Sequence, residues 1–147
     1  MGRTRNTPTG GWARLESKTI ALEDAQDIVV ARNQVRSIAA ALGFRAIDQT
    51  RLATVASELA RNVIKYAQRG RLIAQPTESA EGRQALRLIF EDRGPGIPDI
   101  AAAMSDGFST GRGLGFGLPG SRRLVDEFKI ESEVGRGTRV TVLRWKA

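Results

Sequence analysis

Cysteine and histidine are both missing from this sequence of 147 residues. Without cysteine there can be no disulfide, no thiolate metal site and no cysteine nucleophile. Without histidine, the usual zinc sites, a Ser-His-Asp triad and phosphohistidine chemistry on this chain are excluded as well.

Long apolar runs are also missing. No run approaches the ~20 residues that span a bilayer, and the first residues carry positive charge without the apolar segment of a secretory signal. Asn6 stands where a myristoylation signal needs Ser or Thr. We therefore expect a cytoplasmic protein that has no membrane partner.

Aromatic residues make up only 5% of the chain, although its net charge is +7. Such a charge can serve nucleic-acid binding through phosphate neutralisation, but the basic residues are scattered and few aromatic platforms exist for stacking bases. We expect no nucleic-acid partner, and a DNA-binding α+β domain remains an alternative that rests on charge alone. The charge favours solubility and attraction to acidic partners.

Glycine, by contrast, is concentrated in one region. Eight of the 16 glycines fall between Gly94 and Gly120. Because glycine lets the backbone approach a ligand without a Cβ in the way, this density predicts a functional loop in a chain that shows no internal repeat.

Hydrophobic periodicity predicts the elements. We expect the polar residues 1–12 to form a flexible tail and residues 13–147 to form one domain with the order β-α-α-β-β-α-loop-α-β-β. The predicted bounds are a strand at 13–22, helices at 24–42 and 46–67, a strand at 71–75, a polar loop at 76–82, a strand at 85–92, a short helix near 100–104, a helix from about 118 to 128 and a terminal hairpin. This order predicts an α+β two-layer sandwich, with a mixed, mostly antiparallel sheet and helices on one face.

The first chemical motif is a carboxylate and an amide on the second predicted helix. Glu58 and Asn62 are four residues apart, so their side chains lie ~40° apart around the helix axis. An Asn oxygen there can hold hydrated Mg²⁺ while the Glu acts as a base. The alternative is a solvated Glu beside an ordinary helical Asn.

The second motif is the segment DRGPGI, which follows an apolar strand. Asp92 could lie at the mouth of a cavity and accept a hydrogen bond from a ligand amino group. Gly94 and Gly96 would let the backbone turn beneath a planar ring. A tight turn without a ligand is the alternative.

The third motif is the glycine-rich stretch before the last predicted helix. Its backbone amides and the helix N-terminus could face phosphate oxygens, and Ser109, Thr110 and Arg112 could add side-chain donors. It lacks the Lys of a P-loop and the spacing of a dinucleotide fingerprint. The alternative is a flexible glycine loop.

Taken in order, these motifs resemble the GHKL, or Bergerat, ATP-binding family over residues 13–145. The helix E-x-x-x-N corresponds to its N box, D-x-G-x-G to its first glycine box, and 105–117 to its lid and second glycine box, followed by a final Gly-Thr. The finer match, which includes SELARN, GPGIPD, DGFSTGRGLGFGLPG and SEVGRGT, is similar to the RsbT-type switch serine/threonine kinases of bacterial stress signalling.

The resemblance implies a role for each matching residue. Asn62 would coordinate Mg²⁺ and Glu58 would be the general base. Asp92 would bind the adenine amino group, with Gly96 beneath the base and Thr138 near it. The implied phosphate-binding segment contains Gly113, Leu114, Gly115, Phe116, Gly117 and Leu118. Two departures are Tyr66, at a position that is often His in related anti-sigma kinases, and Arg93, a cation inside the first glycine box.

The implied function is an ATP- and Mg²⁺-dependent serine/threonine kinase that phosphorylates a STAS-domain antagonist protein. Resemblance to the switch kinases also implies a second partner, a phosphatase that the released kinase activates. The alternative is an anti-sigma or sequestering module that uses the same nucleotide-binding fold with little catalytic role. Glu58 favours catalysis, since a binding module needs no base there.

Overall fold

A computed structural model describes residues 16–105 and 118–147. In these ranges the elements are β1 (Lys18–Leu22), α1 (Ala25–Ala41), α2 (Ala46–Ala67), β2 (Gly70–Glu78), β3 (Gln84–Asp92), α3 (Ile100–Ala103), α4 (Leu118–Arg123), β4 (Glu127–Glu133) and β5 (Gly137–Trp145). The predicted order of elements is confirmed. The predicted tail, 1–12, and the residues 106–117 of the predicted lid lie outside the described residues.

The strands form one five-stranded sheet in the order β1-β2-β3-β5-β4. Every pairing between the described strands is antiparallel, so the sheet is antiparallel throughout and contains no parallel pair in this part of the chain. The α+β class is confirmed.

The core lies between α1, α2 and one face of the sheet. Side chains alternate between the two faces of a strand, and the even-numbered residues of β3 and β5 face the helices. The buried side chains of this layer include Leu72, Leu88, Phe90 and Val142 from the sheet, and Val35, Leu52, Val55 and Leu59 from the helices. The opposite face of the sheet carries charged and half-buried residues.

Local signals explain where the two long helices begin and end. Asp24 caps α1 by accepting from the amides of Gln26 and Asp27, while the Asp27 carboxylate accepts from the amide of Asp24, which is a capping box. Gly43 follows α1 with a φ of +88°, a conformation that glycine adopts without strain.

The end of α2 differs from the prediction in its chemistry. Gln68, not a glycine, takes the positive φ of 70° after the helix. Gly70, which together with Arg69 marks the end of this helix in the sequence, instead allows close packing, because a Cβ there would clash with the Glu91 carbonyl oxygen.

Three predicted boundaries are wrong. The strand predicted over 13–22 begins at Lys18 within the described residues. β2 continues through Pro76 to Glu78, into the predicted loop. Pro76 is tolerated because β1 pairs with β2 only as far as Ala74, so no neighbouring strand needs its missing amide on that side. α4 ends at Arg123, well before Phe128, because the Asp126 amide is recruited to the Leu143 carbonyl of the sheet at 2.9 Å.

Among the described residues, no helix combines the length and the apolarity that a bilayer crossing requires.

Candidate nucleotide site

A cavity of about 270 Å³ opens between the last turns of α2 and the adjoining end of the sheet. Its walls are mostly apolar, from Leu59, Val63, Phe90, Ile97 and Val140. The few polar side chains at the cavity belong to Asn62, Tyr66, Asp92 and Thr138. An apolar cavity with a small number of convergent polar groups is typical of a small-molecule site.

The sheet register brings together two of the predicted residues. Asp92 is the last residue of β3 and pairs with Thr138 of β5, so both side chains project to the helix-covered face at one level. Asn62 lies on α2 across the cavity from them. Residues 62, 92 and 138 are therefore assembled by tertiary packing from three elements.

The Asp92 carboxylate is half-buried and held by backbone amides. Gly94 donates its amide to Asp92 Oδ1 at 2.8 Å. Burial raises the pKa of Asp92 above its ordinary value, and the hydrogen bonds from the Gly94 and Thr138 amides offset only part of that rise. A carboxylate fixed in this way can accept a further hydrogen bond from a ligand donor.

The glycines of the first glycine box pack against protein. A Cβ on Gly94 would lie 2.5 Å from the Cβ of Ala67, and one on Gly96 would lie 2.5 Å from the carbonyl oxygen of Glu133. Gly96 also has a φ of +82° and lines the cavity, whereas Gly94 does not line it. Both glycines thus let the loop pass close to α2 and to the β4–β5 turn.

Glu58 lies one turn before Asn62 on α2 but is not among the residues that line the cavity. Its Oε2 is 3.1 Å from Nη1 of Arg61, and its side chain is 32% exposed. The predicted base is therefore partly accessible to a protein that approaches the outer side of α2.

The rest of the predicted site divides between described and undescribed residues. Leu118, at the start of α4, lines the cavity together with Pro119. The other predicted phosphate-binding residues lie outside the described residues: Ser109, Thr110, Arg112, Gly113, Leu114, Gly115, Phe116 and Gly117.

The two departures from the family pattern occupy different places. Tyr66 lines the cavity and is 57% exposed. Arg93 points away from the cavity, because it lines a groove on the opposite face of the sheet. Its charge is thus separated from the apolar wall that would face a base.

Sequence reasoning missed Ser132, which links three parts of the site. Its Oγ accepts the Ile97 amide at 2.7 Å, lies 3.0 Å from the Gly137 carbonyl and is 2.8 Å from Thr138 Oγ1. The available signal was a polar residue at an inward position of β4, where Phe128 and Ile130 are the preceding inward residues.

No group of three or more acidic or other metal-ligating side chains converges within the described ranges. Mg²⁺ is commonly held by one or two protein oxygens together with ligand oxygens and water. Asn62, which lines the cavity, carries a side-chain oxygen of this type, so the residues present are compatible with a metal that a bound ligand helps to hold.

Comparison with known proteins agrees with this geometry. The family described as histidine kinase-, DNA gyrase B-, and HSP90-like ATPase matches residues 47–147. The chain is 49% identical over 119 residues to the serine/threonine-protein kinase RsbT of Bacillus subtilis, a match that covers 81% of this chain and 89% of the relative.

A solved structure shares the fold. It contains the RsbU and RsbW domains of Rv1364c from Mycobacterium tuberculosis and superposes with a TM-score of 0.61 at 20% sequence identity. The match covers 90% of this chain but only 33% of that longer chain. At this identity the likeness supports the fold.

Proposed function

This chain belongs to the family of histidine kinase-, DNA gyrase B- and HSP90-like ATPases, and we propose that it uses Mg²⁺ and ATP to phosphorylate a Ser or Thr of a STAS-domain antagonist protein. The serine/threonine kinase class that the motifs imply is confirmed by the relative of 49% identity. Use of ATP follows from the family. The metal, the residue roles and the protein substrate are the proposed part.

The observation that carries the proposal is the convergence of Asn62, Asp92 and Thr138 on one apolar cavity. Asp92 would supply a fixed acceptor for the adenine amino group, and the apolar walls would exclude water from the faces of the ring. Gly96 would lie beneath the base, and Thr138, whose hydroxyl contacts Ser132, would lie near it.

Phosphoryl transfer depends mainly on positioning and charge neutralisation. Bound Mg²⁺ would neutralise charge on the phosphates, with the Asn62 side-chain oxygen as its protein ligand. The Glu58 carboxylate would take the proton of the attacking hydroxyl, and its contact with Arg61 holds it on the side from which a protein acceptor can approach. Gly113, Gly115, Gly117 and Leu118 would surround the phosphates.

The cellular role proposed here is partner switching in stress signalling. In this proposal the kinase binds an antagonist, phosphorylates it, is released and then engages a second partner, which we propose is a phosphatase. We place this activity in the cytoplasm. A second candidate function is sequestration of a partner without catalysis. The two functions differ in a measurable way, because only the kinase transfers the γ-phosphate of ATP to its partner.

The test begins with the purified chain as bait in a cell extract, with and without Mg-ATP, followed by phosphosite mapping on the retained protein. We expect a STAS-domain protein that is retained without ATP and released as a phosphoserine or phosphothreonine form with it. Reversible retention with no phosphate on the partner would support sequestration instead.

Variants then separate the roles of the two helical residues. We expect Glu58→Gln to bind nucleotide normally and to lose about 10²–10⁴-fold in transfer rate, as is typical for a general base. Asn62→Ala should lose both metal-dependent binding and transfer. Glu81→Gln, which changes an exposed residue near the β2–β3 turn, is the control. If Glu58→Gln transfers phosphate at the parental rate, Glu58 is not the base.

A further inference from the structure

A groove of about 720 Å³ lies on the uncovered face of the sheet, behind the nucleotide cavity. Five arginines line it: Arg69, Arg71, Arg93, Arg136 and Arg139. They come from the α2–β2 connection, β2, the first glycine box, the β4–β5 turn and β5. We call this surface the arginine groove.

Two of these arginines are held in place by one carboxylate. Glu91 pairs with Arg71 on one side and with Arg139 on the other in the sheet register. Arg71 Nε donates to Glu91 Oε1 at 2.8 Å, and Arg139 Nε donates to Oε2 at 2.8 Å. Burial alone would raise the pKa of Glu91, but the hydrogen bonds and charges of both arginines lower it, so Glu91 stays ionised.

Glu91 thereby orders the two guanidinium groups without using most of their donors. A guanidinium has five N–H donors in a rigid plane, and the contacts with Glu91 use one edge of each group. Because the contacts with Glu91 already restrict both arginine side chains, an incoming carboxylate would lose less conformational entropy in ordering them, and this favours binding.

The other three arginines have weak or no ion pairs within the described part of the chain. Arg136 lies 3.5 Å from Glu133, and both side chains are largely exposed. Arg69 and Arg93 form no salt bridge with another described residue. Of the remaining carboxylates at the groove, Glu131 is 3.7 Å from Lys129, and Asp92 faces the nucleotide cavity. With five arginines and four carboxylates among its lining residues, the groove carries a net charge of +1, or of +2 when Asp92, which faces the cavity, is left out.

We propose that the arginine groove docks an acidic segment of a protein partner. Guanidinium groups match carboxylates in a two-point geometry, and the net charge of +7 would draw an acidic partner toward the chain. No described residue of the groove is aromatic, so it offers no platform for stacking bases.

The docking proposal does not depend on phosphoryl transfer, because it concerns the opposite face of the sheet. Its test therefore needs no nucleotide. The probe is a fluorescein-labelled poly-glutamate peptide, with a poly-glutamine peptide of equal length as its neutral counterpart. Fluorescence anisotropy is measured at ~0.15 M ionic strength, where screening over ~8 Å suppresses long-range attraction.

The decisive variant is Arg93→Glu/Arg136→Glu, which reverses two exposed charges of the groove. The matched control is Arg32→Glu/Arg36→Glu, which makes the same change in net charge on an exposed part of α1. We expect binding of poly-glutamate to weaken about tenfold or more in the groove variant, as for the loss of two exposed charge contacts, and to change less than about threefold in the control. Arg93→Gln/Arg136→Gln provides a milder version if the reversal impairs folding, which circular dichroism would report.

Three outcomes would overturn the proposal. Equal weakening in both variants would show that only the overall charge attracts the peptide. If duplex DNA binds more tightly than poly-glutamate and the groove variant weakens that binding, the occupant is a nucleic acid. If sedimentation shows that the parent protein self-associates and that the groove variant does not, the occupant of the groove is a second copy of this chain.

Discussion

At the scale of single residues, Asp92 combines a proposed binding role with a cost to the fold. Its pKa is raised from 3.8 by burial, which means that the folded protein holds the proton more tightly than the unfolded chain does. Ionised Asp92 therefore lowers stability at pH values above its folded pKa, and this cost disappears once the pH falls below about 3.8. A residue kept at a cost to stability is typical of a functional site.

We predict that Asp92→Asn weakens ATP binding about tenfold to a hundredfold, the effect of losing one hydrogen bond to a charged group. GTP binding should change less, because guanine presents a carbonyl where adenine presents an amino group. The free energy of unfolding at pH 7 should stay equal or increase, since the amide carries no charge to bury. Titration calorimetry and urea denaturation measure these quantities, and equal losses for ATP and GTP would contradict the assignment.

The raised pKa also predicts the pH dependence of nucleotide binding. As the pH falls, Asp92 takes up a proton earlier than an ordinary aspartate and ceases to be a pure acceptor. ATP affinity should therefore begin to fall at a pH above that expected for a carboxyl of pKa 3.8, and this component should be missing in Asp92→Asn. Calorimetry across the acidic range, with both proteins checked for folding, tests the prediction.

Ser132 supports the site from outside the cavity. We predict that Ser132→Ala weakens nucleotide binding, because it removes the partner of the Ile97 amide and of the Thr138 hydroxyl, and lowers stability by about 1–3 kcal/mol. Ser79→Ala is the control, since Ser79 Oγ accepts the Glu81 and Arg83 amides in the β2–β3 turn, away from the cavity. A Ser132→Ala protein with parental nucleotide affinity would show that the hydroxyl supports only the fold.

At the scale of elements, an ion cluster joins the start of α2 to the end of β5. Asp48 is 1% exposed, and its Oδ1 accepts from Arg144 Nη2 at 2.7 Å and from Arg51 Nη1 at 3.0 Å. Arg144 also donates to the Leu124 carbonyl at 2.9 Å. Burial would raise the pKa of Asp48, but the charge of Arg144, the hydrogen bonds from Arg51 and Arg144 and the charge of Arg45 together lower it.

We predict that Asp48→Asn destabilises the protein by about 3–5 kcal/mol, because it leaves the largely buried Arg144 without its counter-charge. The folded protein that remains should keep its nucleotide affinity, since Asp48 does not line the cavity. In the parent protein, ionised Asp48 adds its full contribution to the free energy of unfolding at pH values above the unfolded pKa of 3.8. This contribution is lost as the pH falls through the lowered pKa of the folded state. Glu131→Gln, which breaks an exposed pair, should cost no more than about 1 kcal/mol. Urea denaturation compares the two variants, and equal costs would contradict the argument.

The helices and strands differ in how well the sequence predicts their bounds. The stripe from Leu52 to Val63 fixes α2 because periodicity is a local property, and its bounds were predicted correctly. The length of β2 was not predicted, since Pro76 breaks a strand in general and is tolerated here only because β1 ends its pairing at Ala74. The end of α4 depends on the Asp126 amide binding Leu143, a contact that no local pattern contains.

The candidate site shows the same division between local and non-local information. The motif order indicated the family and placed Asn62, Asp92 and Thr138 among the candidates. Their meeting depends on the pairing of β3 with β5, and the role of Ser132 depends on a bond between residues 35 positions apart. Arg93 directly follows Asp92, the last residue of β3. Since neighbouring side chains point to opposite faces, Arg93 is expected on the opposite face once Asp92 is known to face the cavity.

At the scale of the whole molecule, the cavity and the arginine groove lie back to back at one end of the sheet, and Asp92 and Thr138 contribute to the walls of both. A change at either surface can therefore alter the other through the ends of β3 and β5. If nucleotide changes the affinity for a partner, the partner must change the affinity for nucleotide by the same factor. One small domain can in this way report its nucleotide state to a protein bound on its surface.

We predict that the two partners proposed above, a STAS-domain antagonist and a phosphatase, compete for this kinase. The unphosphorylated antagonist should displace the second partner, whereas the phosphorylated form should not, because its new phosphate adds negative charge beside that of the bound nucleotide. The assay immobilises the second partner with the kinase and adds each form of the antagonist in turn, with Glu58→Gln preventing turnover during the measurement. A phosphomimetic at the mapped acceptor should behave as the phosphorylated form. One stable complex that contains both partners would show that they use separate surfaces, and switching would then have to arise from the coupling between the cavity and a distant docking site.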